Sequence, residues 1–291
     1  MTSHSMPEEH SIPEDHPMGG VPPSVEESTD AHDDFEPGAE AAEGAEANPE
    51  KPGEPKKIRY RAKPKFKFPV PVRAVLFDLD GTLLDTAADI VTAANRMRAS
   101  FGFAPLAAET IQSFIGRGIP HLVGMTLKDA VGEVGPNAIK VAVGNFEKHY
   151  ADCFADTSKP FPGVIEGLDA LKERGFRLGC VTNKAEQFVE PLLERTGLKT
   201  YFEIALSGDT LAEKKPHPLP LTHAAEFFEC PVQELLLIGD SVNDAEAART
   251  AGCPVFIVPY GYREGRELRG LDCDAFIDDI PGALKLVRMA S

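Results

Sequence analysis

The chain has 291 residues, is 42% hydrophobic and carries a formal charge of -16 at pH 7, a size that fits one large domain or a domain plus an insert. The negative charge is local: residues 1–55 hold 15 Asp or Glu and one Lys, whereas the other 236 residues carry 31 acids against 29 bases. Overall acidity therefore says nothing about ligands of the folded part, and no apolar run approaches the ~18 residues of a membrane span.

Residues 1–55 are rich in Glu, Ala, Pro, Ser and Gly with almost no aliphatic clustering. Such a segment cannot bury enough apolar area to offset its ordering entropy, and a disordered tail is expected. Residues 56–68 reverse the charge, interleaving Tyr60, Phe66 and Phe68 with seven Lys or Arg. Basic residues with aromatics can bind single-stranded nucleic acid. A solvated linker folding back on the acidic tail is the preferred reading, so residues 1–70 are assigned to tail and linker and no nucleic-acid partner is expected.

From Val72 onward short apolar runs alternate with helical patterns. The runs are AVLFDLD (74–80), FRLGCVTN (176–183), EIALSGD (203–209), ELLLIGD (234–240), PVFIVPY (254–260) and DAFIDD (274–279). Between them, Val164, Leu168 and Leu171 stand at helical spacing before Gly175, and Ala245, Ala248 and Ala251 before Gly252. Strands apolar throughout, alternating with helices, predict a parallel sheet covered on both faces. From Thr86 to about Pro160 there is no strand-like run, only helical patterns at 86–102, 120–131 and 138–154. The expected architecture is α/β, a Rossmann-like doubly wound parallel sheet with a small helical cap inserted after the first strand. Residues 71–86 and 161–291 form the core, and 87–160 the cap. The five cysteines are an odd set without C-x-x-C spacing, which reads as reduced thiols in a cytoplasmic protein.

Three apolar runs end in distinctive polar residues. The first ends in Asp78 and Asp80, the second in Thr182 and Asn183, and the fourth in Asp240, with Asp244 one turn into the next helix. Ligands of open parallel sheets bind beyond the carboxyl ends of the strands, so these groups are expected in one crevice although about 160 residues separate them. A single carboxylate there could be a helix cap. Three or four together repel one another without a cation, and hard oxygen ligands point to Mg²⁺.

The succession D-x-D-G-T-L-x-D (78–85), T-N (182–183), K-P (215–216) and G-D-S-x-N-D (239–244) resembles the haloacid dehalogenase superfamily over about residues 72–285. That resemblance implies a phosphatase in which Asp78 attacks phosphorus to form an aspartyl-phosphate. Asp80 protonates the leaving oxygen and then activates water. It further implies that Gly81, Thr182, Asn183 and Lys215 hold the phosphoryl group and that Asp78, Asp240 and the Asp80 carbonyl hold Mg²⁺. Asp244 acts through water or through Lys215. Dehalogenases of the superfamily lack the acid equivalent to Asp80, so its presence favours phosphate chemistry.

Longer stretches (181–198, 207–221, 236–254 and 259–265) resemble the bacterial phosphoglycolate phosphatase family, implying a small phosphorylated metabolite as substrate, 2-phosphoglycolate first. Sugar phosphates, phosphosugar acids, pyrophosphate, a phosphomutase of the β-phosphoglucomutase type and a catalytically idle relative remain as alternatives. In the cap, FIGRGIPHLV (114–123) looks like a specificity loop in which Arg117 either meets the substrate or is an ordinary surface cation. Oligomeric state is left open.

Overall fold

The computed structural model of the chain describes residues 62–263 and 267–291; the tail expected over residues 1–55 lies outside them. Six parallel strands make the central sheet: β2 (Ala74–Phe77), β5 (Arg177–Val181), β6 (Ile204–Leu206), β7 (Leu235–Gly239), β8 (Val255–Ile257) and β9 (Ala275–Phe276). Each falls within one of the six apolar runs. Their spatial order is β6-β5-β2-β7-β8-β9, so successive connections run outward in opposite directions from β2. The point where that direction reverses, between β2 and β7, is where a parallel α/β sheet opens a crevice.

The sheet is buried on both faces because adjacent residues of a strand point to opposite sides. Val75, Phe77, Leu236 and Ile238 enter one core, where they meet α5 (Val164–Glu173) and α6 (Glu186–Arg195). Ala74, Leu76, Leu235 and Leu237 enter the other, against α7 (Leu219–Phe227) and α8 (Val242–Ala251). The expected doubly wound α/β architecture is what the chain adopts.

Four helices follow β2: α1 (Ala87–Ser100), α2 (Ala108–Gln112), α3 (Ile119–Val131) and α4 (Pro136–Ala151). α1 packs along α4, α3 on α4 and α2 on α1. At the base of this helical module, β3 (Leu84–Asp85) pairs antiparallel with β4 (Lys159–Pro160), tying the outgoing chain to the returning one. Asp89 fastens the return: its carboxylate accepts from the backbone N–H and hydroxyl of both Thr157 and Ser158, at 2.6–3.3 Å. Among the described residues no helix is long and apolar enough to cross a membrane.

The segment expected to be a solvated linker differs from that expectation where it is described. The side chains of Lys63, Lys65 and Lys67 are exposed. The backbone, however, is pinned: Lys63 N–H donates to the Cys273 carbonyl (2.8 Å), and Lys65 N–H donates to Asp274 Oδ1 (2.7 Å). Phe68 packs against Phe256, with ring centroids 6.0 Å apart. Among the described residues the first strand is β1 (Val70–Val72), which pairs parallel with β10 (Val287–Met289). Acids at 272 and 274, some 200 residues downstream, hold this arm, which is why its own composition reads as a linker.

Candidate active site

The loop leaving β2 turns sharply because Leu79, Leu83 and Leu84 are all drawn into the core, and Leu83 and Leu84 both donate to the Leu79 carbonyl. Asp78 and Asp80 flank Leu79 and therefore face the crevice. Gly81 sits at φ +91°, where a Cβ would overlap Asp240 Oδ2 and Tyr262, so only glycine lets the turn approach the end of β7.

Asp78 is almost fully buried, and its backbone N–H is held by the Ile238 carbonyl (2.9 Å). Lys215 joins it to the next carboxylate: its ammonium lies 2.9 Å from Asp78 Oδ1, 2.7 Å from Asp244 Oδ1 and 2.6 Å from the Val181 carbonyl. The second oxygen of Asp244 accepts from Ser241 N–H (3.1 Å) and Ser241 Oγ (2.7 Å), a reciprocal cap at the start of α8. Asp244 is thus engaged at both oxygens. Asp240 Oδ2 accepts from Tyr262 N–H (2.7 Å) and Oδ1 from Thr82 Oγ1 (3.3 Å).

One ligand oxygen each from Asp78, Asp240 and Asp244 lies within 4.8 Å of the others, and all three residues are buried. Burial is the main cause that pushes the Asp78 carboxyl up to about 7, with Lys215 opposing and Asp244 adding to the rise. Asp240 is raised well above the ordinary carboxyl range, first by burial and then by Asp78 and Asp244. Desolvated carboxylates at this spacing disfavour their own ionisation unless a cation joins them. Asp78 Oδ1 receives no aligned hydrogen bond, so a lone pair remains for a further electropositive group. The donor set fits a hard divalent ion on Asp78 and Asp240, with Asp244 committed to Lys215 and Ser241.

Asp80 has different partners. Its Oδ1 accepts from Thr86 Oγ1 (2.7 Å), and both its oxygens lie 3.1 Å from the Lys184 ammonium. Lys184 in turn donates to the Tyr150 hydroxyl (2.8 Å) and sits over the Tyr150 ring, 4.8 Å from its centroid. These contacts outweigh the cost of burying the ammonium and hold its pKa above the ordinary lysine value; burial pulls the other way. Neighbouring carboxyls thus occupy separate electrostatic environments.

Thr182 and Asn183 follow directly on β5 and are buried beside the crevice. The Asn183 amide donates to the carbonyls of Lys215 (2.8 Å) and Gly116 (2.9 Å), linking the sheet to the loop before α3. Lys214 continues that link by donating to the Arg117 carbonyl (2.9 Å). Gly116 and Gly118 line a cavity over Asp78 and Asp80, whereas Arg117 meets this junction through its backbone. The other walls of the cavity are Ile90, Ile115, Ile119, Leu122, Phe146, Tyr150, Lys184 and Phe188, besides Thr182 and Asn183.

Lys184 and Tyr150 were beyond the reach of motif reasoning. Phe146, Tyr150 and Phe154 stand at helical spacing and read as an apolar stripe. The hydroxyl of the middle residue is the one hint of a polar task. Lys184, next after Thr182-Asn183 at a strand end, carries the complementary hint.

Residues 75–258 match the model of the haloacid dehalogenase-like hydrolases. The chain is 52% identical to phosphoglycolate phosphatase of Nitrosospira multiformis, over 77% of this chain and 99% of that protein. It is 50% identical to the phosphoglycolate phosphatase of Thiobacillus denitrificans, again over 77% and 99%. The crystal structure of a predicted phosphoglycolate phosphatase from Haemophilus somnus superposes with a TM-score of 0.70 at 31% identity, covering 74% of this chain and 97% of that one. With these relatives and the motif residues gathered at one end of a parallel sheet, the chain belongs to the haloacid dehalogenase-like hydrolase family.

Proposed function

We propose that this protein is a Mg²⁺-dependent phosphatase that hydrolyses 2-phosphoglycolate to glycolate and phosphate. The observation that carries the reading is the separation of Asp78 from Asp80. One belongs to a buried carboxylate–lysine cluster and the other to a neutral hydroxyl and a second lysine. Two nearby carboxyls in contrasting surroundings suit one nucleophile and one acid–base group.

In this reading Asp78 attacks phosphorus, the P–O bond to the leaving group breaks, and Asp80 gives its proton to the departing alkoxide. Asp80 then takes a proton from the water that attacks the aspartyl-phosphate, returning Asp78 as a carboxylate and releasing phosphate. Lys215, held by Asp244 and the Val181 carbonyl, neutralises charge on Asp78 and the phosphoryl oxygens. Thr182, Asn183 and the Gly81 backbone orient those oxygens. Asp78, Asp240 and the Asp80 carbonyl are the groups that would hold Mg²⁺. When bound, the ion supplies charge neutralisation of the phosphoryl group and keeps Asp78 ionised.

The relatives named phosphoglycolate phosphatase support the substrate, as does the cavity, whose largely apolar wall suits a short leaving group better than a sugar. The five free cysteines support a cytoplasmic location. A phosphate-release screen over small phosphomonoesters tests the assignment. The highest kcat/KM should belong to 2-phosphoglycolate. A clear preference for a hexose phosphate would overturn the substrate and leave the chemistry standing.

A further inference from the structure

The cavity above Asp78 and Asp80 lies where the leaving group must sit, since it opens onto both the nucleophile and the proton donor. Its lining is mostly aliphatic or aromatic. Among the described residues that line it, Lys184 is the only Lys or Arg. A substrate with a carboxylate on its leaving group needs a cation in this space, and a buried anion without one is excluded by its desolvation cost.

Lys184 meets that need by position. Its ammonium is 3.1 Å from both oxygens of Asp80, the group that protonates the leaving oxygen in the reading above. The carboxylate carbon of 2-phosphoglycolate is two bonds from that leaving oxygen, so the carboxylate and the ammonium fall in one neighbourhood. The equal distances to Asp80 suit one N–H shared between two acceptors, and a second N–H reaches Tyr150. An ammonium has three N–H groups, which leaves one for a ligand.

Tyr150 fixes where that N–H points. Its ring is locked by Phe146 (centroids 5.6 Å apart) and by Phe188 (4.8 Å, edge-on), while its hydroxyl accepts from Lys184. A tyrosine of α4, in the helical module, thus positions a lysine of the loop between β5 and α6.

We propose that Lys184 is the specificity-determining residue, receiving the carboxylate of the substrate's leaving group, and that Tyr150 is its positioning residue. The same apolar walls turn away polyol leaving groups, whose hydroxyls would be buried without partners. This inference rests on the phosphatase reading and names the substrate feature that the site selects.

The test compares 2-phosphoglycolate with 2-hydroxyethyl phosphate, an ester of similar size without the carboxylate, in the full-length protein with Mg²⁺. Selectivity is the ratio of the two kcat/KM values. Lys184→Met should lower that ratio about 30-fold, the scale of one lost charge-assisted hydrogen bond, and Lys184→Arg should restore part of it. Tyr150→Phe, which keeps the ring packing and so guards against a folding failure at Lys184, should lower it about 5-fold, mainly through KM for 2-phosphoglycolate. An unchanged ratio in either folded variant, both esters slowing together, overturns the inference and leaves Lys184 as a partner of Asp80 alone. A wild-type protein that cleaves both esters equally well removes the substrate reading itself, and this inference with it.

Discussion

The floor and the roof of the site are built on opposite principles. The floor, at the carboxyl ends of β2 and β7, crowds Asp78, Asp240, Asp244 and Lys215 into a buried cluster in which nearly every polar atom has a prescribed partner. The roof, from α1, α3, α4 and the loop at 115–118, is aliphatic and aromatic, and Tyr150 is the polar side chain it sends to the cavity. Charge density below suits a reaction whose barrier lies in moving phosphoryl charge. An apolar surface above suits a choice among leaving groups by size and by one charge. In the proposed reading the floor carries the chemistry, while selection is shared between the roof and Lys184, a residue of the loop after β5 that also touches Asp80.

The floor should break hardest. Asp78→Asn replaces the proposed nucleophile by a residue of nearly the same volume, and kcat should fall by about 10⁵-fold in a phosphate-release assay. A far-ultraviolet circular dichroism spectrum like that of the wild type would show the fold intact. Asp80→Asn keeps the contact with Thr86 but removes proton transfer, and a loss of about 10³-fold in kcat is expected. The loss should be smaller for esters whose leaving groups depart without a proton, such as 4-nitrophenyl phosphate.

How far the sequence announces each region follows the same division. All six sheet strands lie in continuous apolar runs because a strand buried on both faces must be apolar throughout, and each site carboxylate follows a run that ends. The roof was legible as helices but not as a site. Tyr150 and Lys184 are 34 residues apart and meet only when α4 docks against α6 and the loop before it, and no spacing encodes that meeting. The short strands β1, β3, β4 and β10 were equally hidden, since two or three residues cannot display a period. The arm at 62–69 deceived for another reason, because the acids that bind it lie at the far end of the chain.

A smaller effect sharpens the electrostatic half of the contrast. In metal-free protein, burial holds the Asp78 carboxyl at about 7, above its usual 3.8, and Asp240 is raised as well. A raised carboxyl binds more protons folded than unfolded. Its contribution to stability is full below the unfolded value and is lost as pH rises through about 7. In EDTA, Asp240→Asn should therefore melt above the wild type at pH 8, on the order of 5 °C, with the gap shrinking by pH 5. Mg²⁺ should raise the wild-type Tm at pH 8 and close the gap. A gap independent of pH would show that the carboxylates do not strain one another.

The least effect is expected outside both regions. Deleting residues 1–55 removes 15 acidic residues and should leave kcat/KM within about twofold, because none of the residues assigned to the site belongs to that segment and salt screens long-range charge effects. A large loss on deletion would give the tail a part in catalysis.

The central claim is that Asp78 carries the phosphoryl group between substrate and water. Its most direct measurement is an acid quench of the protein during turnover of 2-phosphoglycolate with Mg²⁺, followed by mass spectrometry of the peptide containing Asp78. A phosphoryl adduct on Asp78 that is absent from Asp78→Asn is the predicted result. Steady turnover with no adduct at any quench time, together with phosphate release retained by Asp78→Asn, would contradict it.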